Sequence, residues 1–218
     1  MDSVHSIPRF RVLRASTPCS TRCMRVGWRS LDEGILVPKS RLPCDVLHLS
    51  GIVPSDTDAF AAEVAEVCLE VGADAVFWEP ETADERALEI VSLWKTRRIL
   101  RVYSPLSALG GIPVVSDLSG PLPPQTAAAV IARAAITVIQ NGKAEKHRAA
   151  PGELGALIET HRPEIAFSAE LAANFFTLRQ NDATIFAVFD TEETISSRVT
   201  RAEKAGAVAV FCDICEKI

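Results

Sequence analysis

The chain has 218 residues, of which 48% are hydrophobic and 23% are charged. A chain of this size and composition forms one sizeable globular domain and is not generally disordered. Its apolar runs end well short of the roughly 20 residues that a membrane helix needs, so we expect no membrane partner. The formal net charge of −5 argues against a nucleic-acid partner, because contacts with phosphates need a basic surface.

The N-terminal segment differs in composition from the rest of the chain. Residues 1–43 contain seven arginines and one lysine against three acidic residues, which is typical of an organelle transit peptide. The six cysteines are too few for a disulfide scaffold. We therefore expect a cytoplasmic protein, with organelle import as the alternative. Residues 1–23 are predicted to be poorly defined, and residues 24–218 to form a single barrel-like domain. Three short runs in this segment fit strands: Phe10–Leu13, Met24–Trp28 and Gly34–Val37. For Met24–Val37 strands are preferred over a transit peptide or a disordered segment.

From residue 44 onward, short apolar runs alternate with longer segments of helical period. The runs are almost continuously hydrophobic, as in parallel strands that are buried on both faces. Eight strands are predicted: Cys44–Ser50, Asp74–Trp78, Arg98–Tyr103, Ile112–Asp117, Ala135–Gln140, Glu164–Ser168, Ala183–Phe189 and Ala207–Cys212. The first helix is predicted to begin at a cap formed by Ser55, Asp56 or Thr57 and to end at Gly72 in the left-handed conformation. Five further helices are predicted at Thr82–Thr96, Gln125–Ala134, Gly152–His161, Leu171–Asn181 and Thr191–Ala205.

Eight strands joined by helical crossovers predict an α/β fold that closes as a (β/α)₈ TIM-barrel-like sheet. An open doubly wound parallel sheet is the main alternative, and a division of the strands between two smaller sheets is the third. The barrel is expected to be incomplete, because no helix follows the last strand. Residues 104–111 also fit the barrel poorly, because they are too few for an ordinary crossover helix unless they form a single turn.

Ligands of parallel α/β folds bind where the strands end, so the candidate site residues are polar side chains at those ends. The catalytic candidates are His48, Glu79, Asp117, Asp190 and Asp213. Clustered carboxylates hold hard cations, so Glu79 and Asp117 are candidate metal ligands and Mg²⁺ is the cofactor that this pattern suits. The competing interpretation is that each carboxylate caps the next helix. Asp190, which precedes Thr191-Glu-Glu-Thr, fits the capping role well.

His48 alternates with Leu47 and Leu49, which on a barrel strand is consistent with a side chain in the lumen. A histidine there can transfer protons near neutral pH, and a hydrogen-bonded core histidine is the equally weighted alternative. The candidates for substrate binding are Arg101, Ser116, Asn141 and Lys143. An inward-facing arginine would bind a carboxylate or phosphate through its planar fork. Lys143 belongs to a basic loop that would contact an anion.

The turn at Val71–Phe77 resembles those of small barrel enzymes of the phosphoribosylanthranilate isomerase or thiamine-phosphate synthase type. Residues Ile185–Asp213 resemble the end of glycerophosphodiester phosphodiesterases. Neither resemblance carries a catalytic motif. We expect a metabolic enzyme of the lyase or isomerase type that acts on a small polar carbonyl compound at the barrel mouth. The alternative is a non-catalytic barrel that serves as a binding or regulatory subunit, and a homo-oligomer fits either function.

Overall fold

The computed structural model describes residues 10–14, 17–27, 44–51, 53–97, 100–118, 120–150 and 152–213, with backbone alone before residue 28 and at Asp213. The predicted strand Gly34–Val37 lies outside the described residues. The described chain divides into two compact units. Unit 1 comprises the residues up to 129 together with 202–213, and unit 2 comprises residues 130–201. This division differs from the single domain expected for residues 24–218.

The strands of the described residues are β1 (Phe10–Arg14), β2 (Thr17–Gly27), β3 (Val46–Gly51), β4 (Ala75–Pro80), β5 (Arg101–Ser104), β6 (Ile112–Val115), β7 (Ala127–Val130), β8 (Ala134–Gln140), β9 (Lys143–Arg148), β10 (Ala166–Ser168), β11 (Ala173–Gln180), β12 (Ala183–Phe189) and β13 (Val210–Asp213). The helices are α1 (Thr57–Val71), α2 (Glu85–Arg97), α3 (Glu153–His161) and α4 (Glu192–Lys204). A single 3₁₀ turn at Ser107–Leu109 joins β5 to β6, which is the condition under which so short a connection fits the fold.

Unit 1 is built on a curled sheet with the strand order β1-β13-β7-β6-β5-β4-β3-β2. Neighbouring strands from β2 to β7 pair in parallel. Strand β1 is the first in this order and pairs antiparallel both with its neighbour β13 and with β2 at the other end of the order. An α/β fold with a curled parallel sheet is therefore confirmed. A helix after every strand, as in a complete (β/α)₈ barrel, is not found among the described residues.

Helices α1 and α2 begin at aspartate caps. The carboxylate of Asp56 accepts a hydrogen bond from the backbone N–H of Ala59 at 3.0 Å, and α1 ends at Gly72 in the left-handed conformation with φ 76°. Both ends agree with the sequence prediction. The carboxylate of Asp84 accepts in the same way from the N–H of Ala87 at 3.0 Å. These bonds satisfy N–H groups that the first helical turn leaves without partners.

The two helices cover the outer face of strands β3 and β4. Their apolar stripes pack against the odd-numbered residues of β3 and the even-numbered residues of β4, in a cluster that includes Leu47, Leu49, Val76, Trp78, Phe60, Val64, Ile90 and Trp94. The rings of Trp78 and Trp94 meet edge-on at 5.0 Å. Because strand side chains alternate between faces, the residues between these positions point to the other, inner side of the sheet.

Unit 2 is a five-stranded antiparallel sheet with the order β10-β11-β12-β8-β9, packed on one face against α3. The buried residues of this packing are Ile136, Leu154, Phe176, Ala187 and Phe189. The turn Asn141-Gly142 joins β8 to β9 with positive φ at both residues. Asn-Gly is a strong hairpin signal, because both residues adopt positive φ more readily than others.

Several sequence predictions for this region were wrong about structure or direction. The predicted helices Gln125–Ala134 and Leu171–Asn181 contain the strands β7 and β11 instead. The predicted parallel strands Ala135–Gln140, Glu164–Ser168 and Ala183–Phe189 are strands, but they pair antiparallel in unit 2. A continuous apolar run indicates a buried strand without indicating the direction of its neighbours.

Helices α3 and α4 agree with the predicted segments Gly152–His161 and Thr191–Ala205. At the start of α4, the hydroxyl of Thr191 accepts from the N–H of Thr194, and the hydroxyl of Thr194 accepts from the N–H of Thr191. This reciprocal pair caps the helix. No helix in the described part of the chain is long and apolar enough to cross a membrane.

Candidate active site

The inner face of the curled sheet brings together two of the predicted site residues. His48 on β3 and Glu79 at the end of β4 lie on the same side as Phe77, because β3 and β4 are paired in parallel and His48 stands opposite Phe77. Nε2 of His48 and Oε2 of Glu79 share a hydrogen bond of 2.6 Å. The side chain of His48 is fully buried, whereas that of Glu79 is 32% exposed.

Aromatic rings form the packing around His48. The imidazole stacks on Phe77 with ring centroids 4.8 Å apart and planes 15° apart. Phe77 contacts Phe211 at 4.5 Å, and Phe211 in turn contacts Tyr103 at 5.1 Å. These aromatic residues belong to the buried inner cluster, so they hold the imidazole plane and exclude water from its faces.

This arrangement can hold and transfer a proton at the carboxyl end of β4. One carboxylate oxygen of Glu79 is bonded to a rigid, buried imidazole, while part of the side chain reaches solvent. A carboxyl group with a fixed orientation and solvent access can act as a general acid or base toward a bound molecule. The alternation of His48 with Leu47 and Leu49 indicated the inner face correctly, and the assignment of His48 and Glu79 as catalytic residues stays a prediction.

Ser116 and Asp117 follow β6 and are exposed. Asp213 is the last residue of β13, and its side chain lies outside what the structure describes. Among the described residues, no group of three or more His, Cys, Asp or Glu side chains is arranged to hold a metal ion. Mg²⁺ binding by Glu79 and Asp117 therefore stays a prediction.

Asp190 belongs to unit 2, where its buried carboxylate connects three segments. Its Oδ2 accepts from the backbone N–H of Arg133 at 2.8 Å and from the Arg198 guanidinium at 2.8 Å. Its Oδ1 accepts from the hydroxyl of Thr194 at 3.1 Å. The side chain has no exposed area. These contacts favour the structural interpretation of Asp190, which extends the capping role expected at the start of α4.

Arg101 stands at the amino end of β5, the opposite end of the parallel strands from Glu79. Its guanidinium donates to both oxygens of Asp74 at 2.6 and 2.7 Å, and this bond raises the pKa of Arg101. A cavity of about 360 Å³ opens beside it, lined also by Lys95, Gly110 and Gln125. One nitrogen of the guanidinium is thus paired with Asp74, and the role of Arg101 in substrate binding stays a prediction.

Asn141 and Lys143 belong to the β8–β9 hairpin of unit 2 and are exposed. Asn141 is in the turn with φ 52°, and Lys143 begins β9. The sequence placed both at the mouth of a parallel barrel, because the antiparallel pairing was not recognised. The inner aromatic residues Phe77 and Phe211 were not singled out either, although their alternation along the strands was a usable signal.

The fold and the site define a class of α/β proteins with a carboxylate at the end of a central strand of a curled sheet. No family model matches the sequence, and no curated protein matches it. Solved structures resemble it along most of its length: the Bacillus subtilis protein ydhD, named as a sporulation-specific glycosylase, matches with a TM-score of 0.67 at 10% identity over 97% of this chain and 98% of that one.

Two further neighbours have carbohydrate-directed names. The spore cortex-lytic enzyme SleL of Bacillus cereus matches with a TM-score of 0.56 at 11% identity, over 85% of this chain and 61% of that chain. A mutant GH18 chitinase of Cycas revoluta in complex with (GlcNAc)₄ matches with a TM-score of 0.52 at 10% identity, over 77% of this chain and 74% of that chain. At these identities the likeness concerns the fold. The predicted lyase or isomerase class is nevertheless corrected, because these neighbours are named as glycosylase, cortex-lytic enzyme and chitinase.

Proposed function

We propose that this chain is a glycoside hydrolase with a (β/α)₈-type barrel fold, and that Glu79 is its general acid. The observation that carries the proposal is the position of Glu79. It follows the apolar part of β4 on the inner face, it is partly exposed, and one of its oxygens is bonded to the buried His48. In parallel barrels this end of the strands is where substrates bind.

The proposed chemistry begins with a proton on Glu79. The carboxyl group donates it to the oxygen of the glycosidic bond as that bond breaks, and the resulting carboxylate then takes a proton from the attacking water. Most glycosidases add a second carboxylate, whereas family 18 enzymes act with assistance from the substrate itself. The carboxyl group held by His48 suits the substrate-assisted route, which favours saccharides of N-acetylglucosamine, the sugar bound in the Cycas chitinase structure.

His48 is a positioning residue in this proposal. Stacking on Phe77 fixes the plane of the imidazole, and its Nε2 fixes one oxygen of Glu79. The other part of the carboxyl group is then held toward the space in which a glycosidic oxygen would lie. A carboxyl group held in one orientation loses less entropy on reaching the transition state than a freely rotating one.

The direct test is hydrolysis of chitin oligosaccharides, with the products separated by chromatography. We expect Glu79→Gln to lower kcat by about 10²- to 10⁴-fold, because the amide cannot supply the proton. The matched control is Glu81→Gln, which makes the same change at an exposed residue directly after the strand. Equal activity of the wild type and Glu79→Gln would sink the proposal, as would binding of these oligosaccharides without any cleavage by the wild type.

A further inference from the structure

The sheet of unit 2 has a second face that α3 does not cover. Strand register places the following residues on it, and we call them the open face: Ala135, Thr137, Ile139, Ala144, Lys146, Arg148, Ala166, Ser168, Ala173, Phe175, Thr177, Arg179, Thr184, Phe186 and Val188. Only Ala173 among them is buried. The α3 face, by contrast, buries Ile136, Phe176, Ala187 and Phe189.

The centre of the open face is apolar and aromatic. Phe175 on β11 and Phe186 on β12 contact each other with ring centroids 5.8 Å apart, and Val188 stands opposite Phe175 in the register. All three side chains are only partly buried. An antiparallel sheet with one solvated face normally places polar residues on that face. Partly exposed phenylalanines at its centre therefore indicate a surface that binds something.

Threonines and cations surround this centre. Thr137 and Thr177 lie directly beside Phe186 in the register. Arg179 lies on β11, and Lys146 and Arg148 lie on the edge strand β9. No acidic residue occupies a strand position of the open face. The charge of this face is thus opposite in sign to the net charge of the chain, and it is complementary to an anionic partner.

The spacing of the cations indicates an extended partner. Three strand intervals separate β11 from β9, which is about 14 Å across the sheet. The backbone of Arg179 lies further than this from Lys146 and Arg148, because in the register it is level with Ala144. One small anion cannot reach both, whereas a chain with repeated anionic groups can. Nucleic acid is disfavoured, because the open face has three cations in a chain of net charge −5.

We propose that the open face of unit 2 binds an extended glycan that carries carboxylate groups. The choice of a glycan rests on the proposed function. Phenylalanine rings pack against the apolar faces of sugar rings, threonine hydroxyls bond to sugar hydroxyls, and the cations on the two sides pair with carboxylates.

The test is calorimetric titration of the full chain carrying Glu79→Gln, which is expected to leave the saccharides intact. The probes are a hyaluronan hexasaccharide, in which N-acetylglucosamine alternates with glucuronate, and a chitin hexasaccharide, which is uncharged. We expect hyaluronan to bind at least about tenfold more tightly at low salt, with an affinity that falls as salt rises.

Matched variants locate the binding surface. Lys146→Gln is expected to weaken hyaluronan binding about three- to tenfold, whereas Lys143→Gln, on the other face of the same strand, leaves it unchanged. Phe186→Ala weakens binding to both saccharides, whereas Phe167→Ala, at an exposed residue on the other face, does not. The exposed lysine pair keeps the test valid if Phe186→Ala unfolds.

Three results would overturn the inference: equal affinity for the two hexasaccharides, equal effects of Lys146→Gln and Lys143→Gln, or tighter binding of an oligothymidylate than of hyaluronan. Hydrolysis of chitin oligosaccharides by the wild type without hyaluronan binding by the Glu79→Gln chain overturns this inference alone. Hyaluronan binding without any such hydrolysis overturns the proposed function alone.

Discussion

The pair of His48 and Glu79 shows how one residue's burial determines another's orientation. Leu47 and Leu49 are drawn to the outer helices by their apolar surface, which places His48 between them on the inner face. There the only way to bury an imidazole at acceptable cost is to hydrogen-bond it. Glu79, two residues after Phe77 on the neighbouring strand, supplies that bond.

Substitution of His48 separates positioning from folding. We expect His48→Leu to lower kcat for chitin oligosaccharides about tenfold with little change in KM, because the substrate still binds but Glu79 loses its fixed orientation. His48→Gln, whose amide can reach the same oxygen, is expected to recover most of kcat. If His48 has a purely structural role, both variants lose stability, and the folded fraction of each keeps the kcat of the wild type.

The thiol of Cys68 is a second residue whose chemistry depends on burial. Cys68 is 1% exposed in the cluster beneath α1, and burial raises its pKa from the usual 9.0 to about 12. At pH 8 we expect iodoacetamide to leave Cys68 unmodified in the folded chain and to alkylate it in denaturant, as read by peptide mass spectrometry. Because the folded pKa is the higher one, the unfolded state gains stability as pH rises above 9.0. Rapid alkylation of the folded chain would contradict this prediction.

At the scale of elements, short local signals set most boundaries. The caps at Asp56 and Asp84 and the left-handed Gly72 mark the ends of α1 and α2 through bonds within a few residues. The Asn141-Gly142 turn sets the β8–β9 hairpin in the same local manner. A helix or hairpin end that depends on adjacent backbone groups is therefore readable from sequence.

The cap that Asp84 forms on helix α2 makes the stability of the protein depend on pH. The hydrogen bond from the N–H of Ala87, with support from Arg86, lowers the pKa of Asp84 below its usual 3.8. A lowered folded pKa stabilises the protein above pH 3.8, and that contribution is lost as pH falls through the folded pKa. We expect Asp84→Ala to be less stable than the wild type at pH 7 and the difference to shrink below pH 3.8 in chemical unfolding. A difference that stays constant down to pH 2 would exclude this role.

At the scale of the whole molecule, unit 2 interrupts unit 1 in the sequence, between β7 and the end of α4. Each unit has its own buried side chains. In unit 1 they lie beneath helices α1 and α2 and in the inner aromatic cluster, and in unit 2 they lie between the sheet and α3. The three tryptophans all belong to the first 129 residues. Tryptophan fluorescence therefore reports unit 1, while circular dichroism reports the secondary structure of both units.

Asp190 offers a test of this organisation. Its removal leaves Arg133 and the 11% exposed side chain of Arg198 without their carboxylate, which costs about 3 kcal/mol for a buried pair that loses one partner. We expect Asp190→Ala to lower the unfolding midpoint seen by circular dichroism more than the midpoint seen by tryptophan fluorescence. The control is Asp182→Ala in the exposed β11–β12 turn. Equal shifts in both signals would contradict separate stabilisation of unit 2.

The sequence by itself determined strands β3 to β6 and helices α1 and α2 of unit 1, the left-handed end of α1 at Gly72 and the alternation of His48 with Leu47 and Leu49, because these depend on local bonds and on the period of apolar residues. It did not determine whether Ala183–Phe189 pairs in parallel, or which carboxylate meets the histidine. The tertiary structure decided both, since strand direction and the bond between His48 and Glu79 join residues far apart in the chain, and no local pattern records which distant partner satisfies a buried polar group.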